Sequence, residues 1–203
     1  NEPSNNFPNR EYVSAVSGAA FVIKKHLFDR LGGFDESFFI YMEDADLSLR
    51  ARLAGFSCMY EPESIIHHDY TLTFGPNKTF YQERNRYMML LKTFSFSTLL
   101  LLLPVLLLAE LVSWGFVILK DRSRWKNKFR AFGWIVSNWK VIMSNRADAQ
   151  ALRQTSDREL IGLHTFKLDF DQVGSGIIST GAHIIFDSLF FVFTKLAKLL
   201  IWR

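Results

Sequence analysis

Apolar and polar positions change block by block along the chain, and each change predicts an element. Residues 1–11 are polar, with Pro3 and Pro8, and read as a loop. Tyr12 to Ile23 turns apolar through Val13, Val16 and Ala19-Ala20-Phe21-Val22-Ile23, the signature of a short buried strand. Lys24 to Leu31 carries Leu27, Phe28 and Leu31 on one helical face, and Gly32-Gly33 ends it. A turn at Phe34-Asp35-Glu36 and an aromatic segment, Phe38-Phe39-Ile40-Tyr41, lead into a second helix from Asp44 to Ala54, closed by Gly55. Phe56 to Tyr60 reads as a strand, broken by Pro62. Strands alternating with short helices predict an α/β layer. Two or three strands do not complete a sheet.

The second half has a different texture. Gln82 to Lys92 reads as a helix that begins with Arg84-Asn85-Arg86 and runs into Phe94–Leu119, which is apolar except for Ser, Thr, Pro104 and Glu110. That run is long enough to cross a hydrocarbon core of about 30 Å, yet Glu110 is costly for a position facing lipid. Two arrangements fit: a span with Glu110 paired, or a helical hairpin broken at Pro104 in the interface. Lys120 to Asn145 interleaves Arg122, Arg124, Lys126, Lys128 and Arg130 with Trp125, Phe129, Trp134 and Trp139. This suits a helix on an anionic membrane surface or an amphipathic helix packed on the domain. Thr155-Ser156-Asp157-Arg158-Glu159 is a helix-start signal. Gly174-Ser175-Gly176 reads as a joint before a second apolar helix, Ile177 to Trp202, whose charges favour the interface over a span. The expected units are residues 1–92, 93–145 and 146–203.

Bulk composition narrows this further. The chain of 203 residues is 49% apolar, and its net charge of +4 is too small to argue for nucleic acid. Cys58 stands alone, which excludes an internal disulfide and fits a reducing compartment. No initiator Met or signal peptide opens the chain, so the expectation is the C-terminal part of something longer.

Candidate chemistry concentrates in residues 32–50. Glu43, Asp44 and Asp46 stand where a helix begins. Acids there stabilise free N–H groups and the helix dipole by about 0.5–2 kcal/mol, and Asp46 fits that role. Three acids behind Phe38-Phe39-Tyr41 are more than capping needs. A carboxylate held ionised in a cleft would accept a proton from an incoming hydroxyl. Gly18 allows either close packing or close approach to a ligand. His67 and His68 are adjacent on an extended segment, so at most one faces a given site, and one imidazole is not a metal site.

These residues resemble a family. Ser17-Gly18-Ala19-Ala20, Gly32-Gly33-Phe34-Asp35-Glu36, Tyr41-x-Glu43-Asp44-x-Asp46-Leu47-x-x-Arg50 and Gly55-Phe56 are similar, in order and spacing, to family 2 glycosyltransferases of the rhamnosyltransferase-like, cell-surface polysaccharide group. The match runs from residue 14 to about 70. Arg84-Asn85-Arg86 and Ser156-Asp157-Arg158-Glu159-Leu160 resemble that group less specifically.

The resemblance implies a GT-A, Rossmann-like fold and an inverting single displacement with a nucleotide-sugar donor. It implies that Asp44 is the general base. Gly18, Ala19, Tyr41, Glu43, Asp46 and Arg50 would line the acceptor and donor pocket, and His68 would approach a divalent metal, Mn²⁺ or Mg²⁺. It also implies an N-terminal half that carries an Asp-x-Asp motif, and no such half precedes Asn1. The expectation is therefore a partial GT-A domain without its nucleotide-binding half, followed by an α-helical membrane-associated tail. It would act on a glycan or lipid-linked acceptor at the cytoplasmic face of a cell inner membrane. The alternative is a non-catalytic membrane-anchoring and interaction module derived from such an enzyme. A transporter-like fragment fits less well, with two apolar segments only.

Overall fold

The computed structural model describes residues 9–67, 75–120, 122–163 and 188–201. In order these form β1 (Glu11–Val13), α1 (Lys25–Arg30), a 3₁₀ turn (Glu36–Phe38), α2 (Glu43–Leu53), β2 (Cys58–Tyr60), α3 (Lys78–Thr93), α4 (Phe96–Lys120), a second 3₁₀ turn (Arg122–Arg124), α5 (Lys126–Ser137), α6 (Trp139–Ala151), α7 (Asp157–Gly162) and α8 (Ser188–Leu200).

The architecture is mostly helical. The expected layer of strands is reduced to one antiparallel pair, β1 and β2, with Glu11 opposite Tyr60 and Val13 opposite Cys58. The strand expected over residues 12–23 ends at Val13, and Val22 is fully exposed. An apolar run becomes a buried strand only when neighbours pair its edges and cover its faces, and beyond Val13 this run has no strand partner among the described residues.

The helices follow the sequence pattern closely. Gly32 and Gly33 stop α1 with φ of +82° and +66°, values a side chain resists. Ser156 caps α7, accepting from the Glu159 N–H while the Glu159 carboxylate accepts from the Ser156 N–H. Pro104 does not break α4; it sits on the exposed side of an uninterrupted helix, so the hairpin alternative is excluded. Phe96–Gly115 is the one described segment long and apolar enough to cross a membrane, with mean hydropathy 2.2.

Three small cores hold the body together. Leu31, Leu47, Ala51 and Ala54 join α1 to α2. Phe38, Met88 and Ile142 join the 3₁₀ turn to α3 and α6. Leu53, Phe94, Ala149, Leu160, Ile161 and Ile201 gather the ends of α2, α3, α6, α7 and α8, with Leu99 and Leu102 of α4 against them. Polar ties reinforce the last. Arg52 Nη2 donates to the carbonyls of Glu159 and Leu160, and Thr155 Oγ1 to that of Arg52. Asp157 accepts from the Ser95 N–H and pairs with Arg153.

Candidate active site

α2 starts from an unusual approach. Phe39, Tyr41 and Met42 all have positive φ, between 62° and 68°, in a stretch with no glycine. Each such residue costs on the order of 1–3 kcal/mol unless its surroundings hold it. α3 supplies the hold. Asn85, fully buried, donates from Nδ2 to the carbonyls of Phe38 (3.0 Å), Ile40 (2.8 Å) and Tyr41 (2.7 Å). Arg84 Nη2 donates to the carbonyls of Ser37 and Phe38 and stacks on Trp134. Asn85 thus answers three carbonyls that the contorted backbone turns inward.

The expected aromatic wall is split by this geometry. Phe38 is buried, with the Lys92 ammonium over its ring. Phe39 turns outward, 75% exposed, against Tyr81. Tyr41 is half-buried beside Lys78.

The three acids part company as well. Asp44 faces the chain segment before α1. Its Oδ2 accepts the Gly18 N–H at 2.7 Å and its Oδ1 accepts the Ala45 N–H at 2.7 Å. One turn on, Ser48 Oγ accepts the Val16 N–H and donates to the Asp44 carbonyl. Residues 16–18 are thereby stitched along the first turns of α2. A Cβ on Gly18 would lie 3.3 Å from Asp44 Cβ and Oδ2, so this close approach needs glycine. Ala19 is next to it and exposed, its N–H on Ser17 Oγ. Asp44 itself is half-buried at the protein edge. Glu43 is half-buried, and its Oε2 is enclosed without a hydrogen-bond partner.

Asp46 caps nothing. It is fully buried and accepts from Arg50 Nε at 2.8 Å, with Lys92 Nζ 2.8 Å from its other oxygen. Lys92 also reaches Asp35 at 2.6 Å, and Arg50 Nη1 donates to the Leu31 carbonyl. Burial pushes the Asp35 carboxyl up, but hydrogen bonds from Lys92 and Ser37 outweigh it and hold the group below its ordinary 3.8. Asp46 and Arg50 therefore stand on the inner side of α2, away from Asp44. A cavity of about 420 Å³ opens there between α1, α2 and α6, lined among others by Arg30, Asp35, Arg50, Lys92 and Asp148. Asp44 does not line it.

Among the described residues, no three His, Cys, Asp or Glu side chains are grouped closely enough to hold a metal ion. His67 is exposed, and His68 lies outside the described residues. The described residues alone do not complete an ion site. Sequence reasoning did not find Asn85, Asp35 or Lys92 as parts of this assembly. Arg84-Asn85-Arg86 stood out as a motif, but the carbonyls that Arg84 and Asn85 hold lie more than 40 residues away.

No solved structure matches the chain. It is 39% identical over 62 residues to N-acetylglucosaminyl-diphospho-decaprenol L-rhamnosyltransferase of Mycobacterium tuberculosis, an overlap covering 30% of this chain and 20% of that protein. It is 33% identical over 79 residues to the rhamnosyltransferase WbbL of Escherichia coli K12, covering 37% of this chain and 27% of the relative. The chain thus spans about a fifth to a quarter of the length of these relatives. The profile of glycosyl transferase family group 2 matches residues 7–143, which is more than half of the chain and contains Gly18, all three acids and the Asn85 clamp. The resemblance read from the Glu-Asp stretch is borne out: the chain belongs to the family 2 glycosyltransferases, with rhamnosyltransferase-like relatives.

Proposed function

We propose that this chain supplies the acceptor-side half of an inverting glycosyltransferase, with Asp44 as the general base. The observation that carries the reading is the setting of Asp44. Backbone N–H groups of Gly18 and Ala45 each donate to one carboxylate oxygen at the start of α2, which fixes the direction of the carboxylate. Each oxygen retains a lone pair for a further proton.

In the reaction an acceptor hydroxyl gives its proton to Asp44 while its oxygen bonds to the anomeric carbon of the donor sugar. The bond from that carbon to the nucleotide diphosphate breaks, and the diphosphate leaves with the electron pair. Glu43, next to the base in sequence and with its Oε2 enclosed, would shape the pocket wall. Gly18, Ala19 and Tyr41 would edge the pocket, while Asp46 and Arg50 would support it from behind. Mn²⁺ or Mg²⁺, with His68 as one ligand, belongs in this reading to the complete enzyme and would balance charge on the leaving diphosphate.

The relatives' names favour a nucleotide-rhamnose donor and a polyprenyl diphosphate-linked sugar as acceptor. A lipid-linked acceptor and the apolar helix α4 together support a place on the cytoplasmic face of an inner membrane. The test is transfer by the complete enzyme from a labelled nucleotide-rhamnose to polyprenyl-diphosphate N-acetylglucosamine. A product of inverted anomeric configuration is expected. Retained configuration, or donor hydrolysis alone, would contradict the reading.

A further inference from the structure

α4 is two-faced. Phe96, Leu100, Leu103, Leu107, Leu111 and Ile118 form one exposed stripe, with Leu100 70% exposed and Leu107 and Leu111 above 60%. The opposite side is bound to the body at both ends. Leu99 and Leu102 pack on the core that holds Leu53, Phe94 and Leu160. Farther on, Glu110 meets Arg86 at 2.5 Å, Tyr87 Oη at 2.5 Å and Lys128 at 2.8 Å. Ser113 Oγ donates to Glu83, which pairs with Arg86 and Lys128. Val117 is buried one turn later.

This arrangement decides between the two ways an apolar helix meets a bilayer. α4 is about 37 Å long at 1.5 Å per residue, enough to span. A transverse α4 would carry Glu83, Arg86, Glu110 and Lys128 toward the hydrocarbon centre, together with the polar faces of α3 and α5. On insertion scales each such charge costs about 2.5–3.5 kcal/mol at that depth. Lying flat, the helix buries only its leucine stripe, and the charged cluster stays on the protein side. A stripe of this size is well beyond scattered surface apolar residues.

The surroundings of the stripe fit a lipid surface rather than a protein partner. At the C-terminal end of α4, Trp125 and Phe129 are exposed, and the Phe129 ring packs on both Trp125 and Trp114, an aromatic group suited to headgroup depth. Arg122 and Lys126 stand exposed beside them. α8, which packs on α4, carries its own exposed stripe of Val192, Leu196 and Leu199 with Lys195 exposed alongside. Basic side chains bordering an apolar face match an anionic headgroup layer.

We propose that α4 is an in-plane, monotopic helix which lays its leucine stripe, with α8 beside it, into one leaflet of an anionic bilayer. This rests on the membrane reading above and adds the geometry. Single cysteines replace Leu100, Leu103, Leu107 and Leu111 in a Cys58→Ser background of the whole chain, each labelled with an environment-sensitive fluorophore. Depth is read with lipids quenching at two levels in phosphatidylethanolamine–phosphatidylglycerol vesicles. All four sites should report one shallow depth. A steady gradient, about 16 Å between residues 100 and 111 for a spanning helix, would overturn the in-plane geometry and leave the membrane reading standing. No binding to these vesicles, or a stripe protected only by self-association in solution, would overturn both. Binding to neutral phosphatidylcholine vesicles should be at least about tenfold weaker; equal binding would remove the role of Arg122, Lys126 and Lys195.

Discussion

Asp44 and Asp46 are the same residue type, two positions apart on α2, and the structure treats them oppositely. Asp46 faces inward, is fully buried, and is held by the side-chain cations Arg50 and Lys92. Asp44 faces outward and is held by two backbone N–H groups, with no cation paired to it among the described residues. A carboxylate neutralised by two cations in the interior is committed to structure. A carboxylate oriented by backbone dipoles at the protein edge, and only half-buried, stays reachable. The difference is a division of labour along one helix: the inner acid locks α2 to α1 and α3, so that the outer acid has a fixed direction.

The largest effect on stability should come from the inner side. Asp46→Ala leaves Arg50 and Lys92 buried with one counter-charge, Asp35, between them. The loss should be about 3–5 kcal/mol, measured by chemical denaturation. An Asp46→Ala variant within 0.5 kcal/mol of the parent, on the order of a neutral surface change, would dissolve the comparison.

Asn85→Ala attacks the clamp that both acids depend on. It removes the donor to three carbonyls beside three left-handed residues, and about 2–3 kcal/mol should be lost. Hydrogen exchange should accelerate at residues 39–42 more than at the far end of α2. Uniform acceleration would mean that the clamp is ordinary packing.

Gly18→Ala is smaller and acts on the outer side alone. The new Cβ meets Asp44 at 3.3 Å, so the carboxylate must shift by a few tenths of an ångström. Transfer by the complete enzyme should fall about tenfold, equivalent to about 1.4 kcal/mol, with little change in melting temperature.

The smallest effect is on acid stability. Asp35 is half-buried and Asp157 buried, which pushes their carboxyls up, but hydrogen bonds and the cations Lys92 and Arg153 hold both below their ordinary value. Folded-state values below the unfolded ones give stability that is present above the ordinary carboxylate range and lost as pH falls through the depressed values. Melting temperature should therefore be level near neutrality and drop below about pH 4. Asp35→Asn should flatten part of that drop.

Much of this was legible in the sequence where the determinants are local. The spacing of Leu27, Phe28 and Leu31, the glycine pair after them, and Ser156 three residues before Glu159 gave α1 and the start of α7 nearly to the residue. The order Gly18, Glu43-Asp44, Arg50 was enough to point to the family. What was not legible depends on distant partners. The inward turn of Asp46 depends on Lys92, 46 positions later, and the loop before α2 depends on Asn85. The apolar run at residues 14–23 looks like a strand because its sequence is one, and beyond Val13 it finds no strand partner among the described residues. Glu110 read as a fault in a lipid-facing helix, whereas Arg86 and Lys128 make it the mark of that helix's protein side.

The central claim is that the outward acid does chemistry and the inward acid does not. The direct test is Asp44→Asn in the complete enzyme, with sugar transfer and melting temperature measured on the same preparation. The account predicts a fall in transfer of about 10²–10⁴ with the melting temperature close to the parent's. Transfer within about tenfold of the parent, from a folded variant, would contradict it.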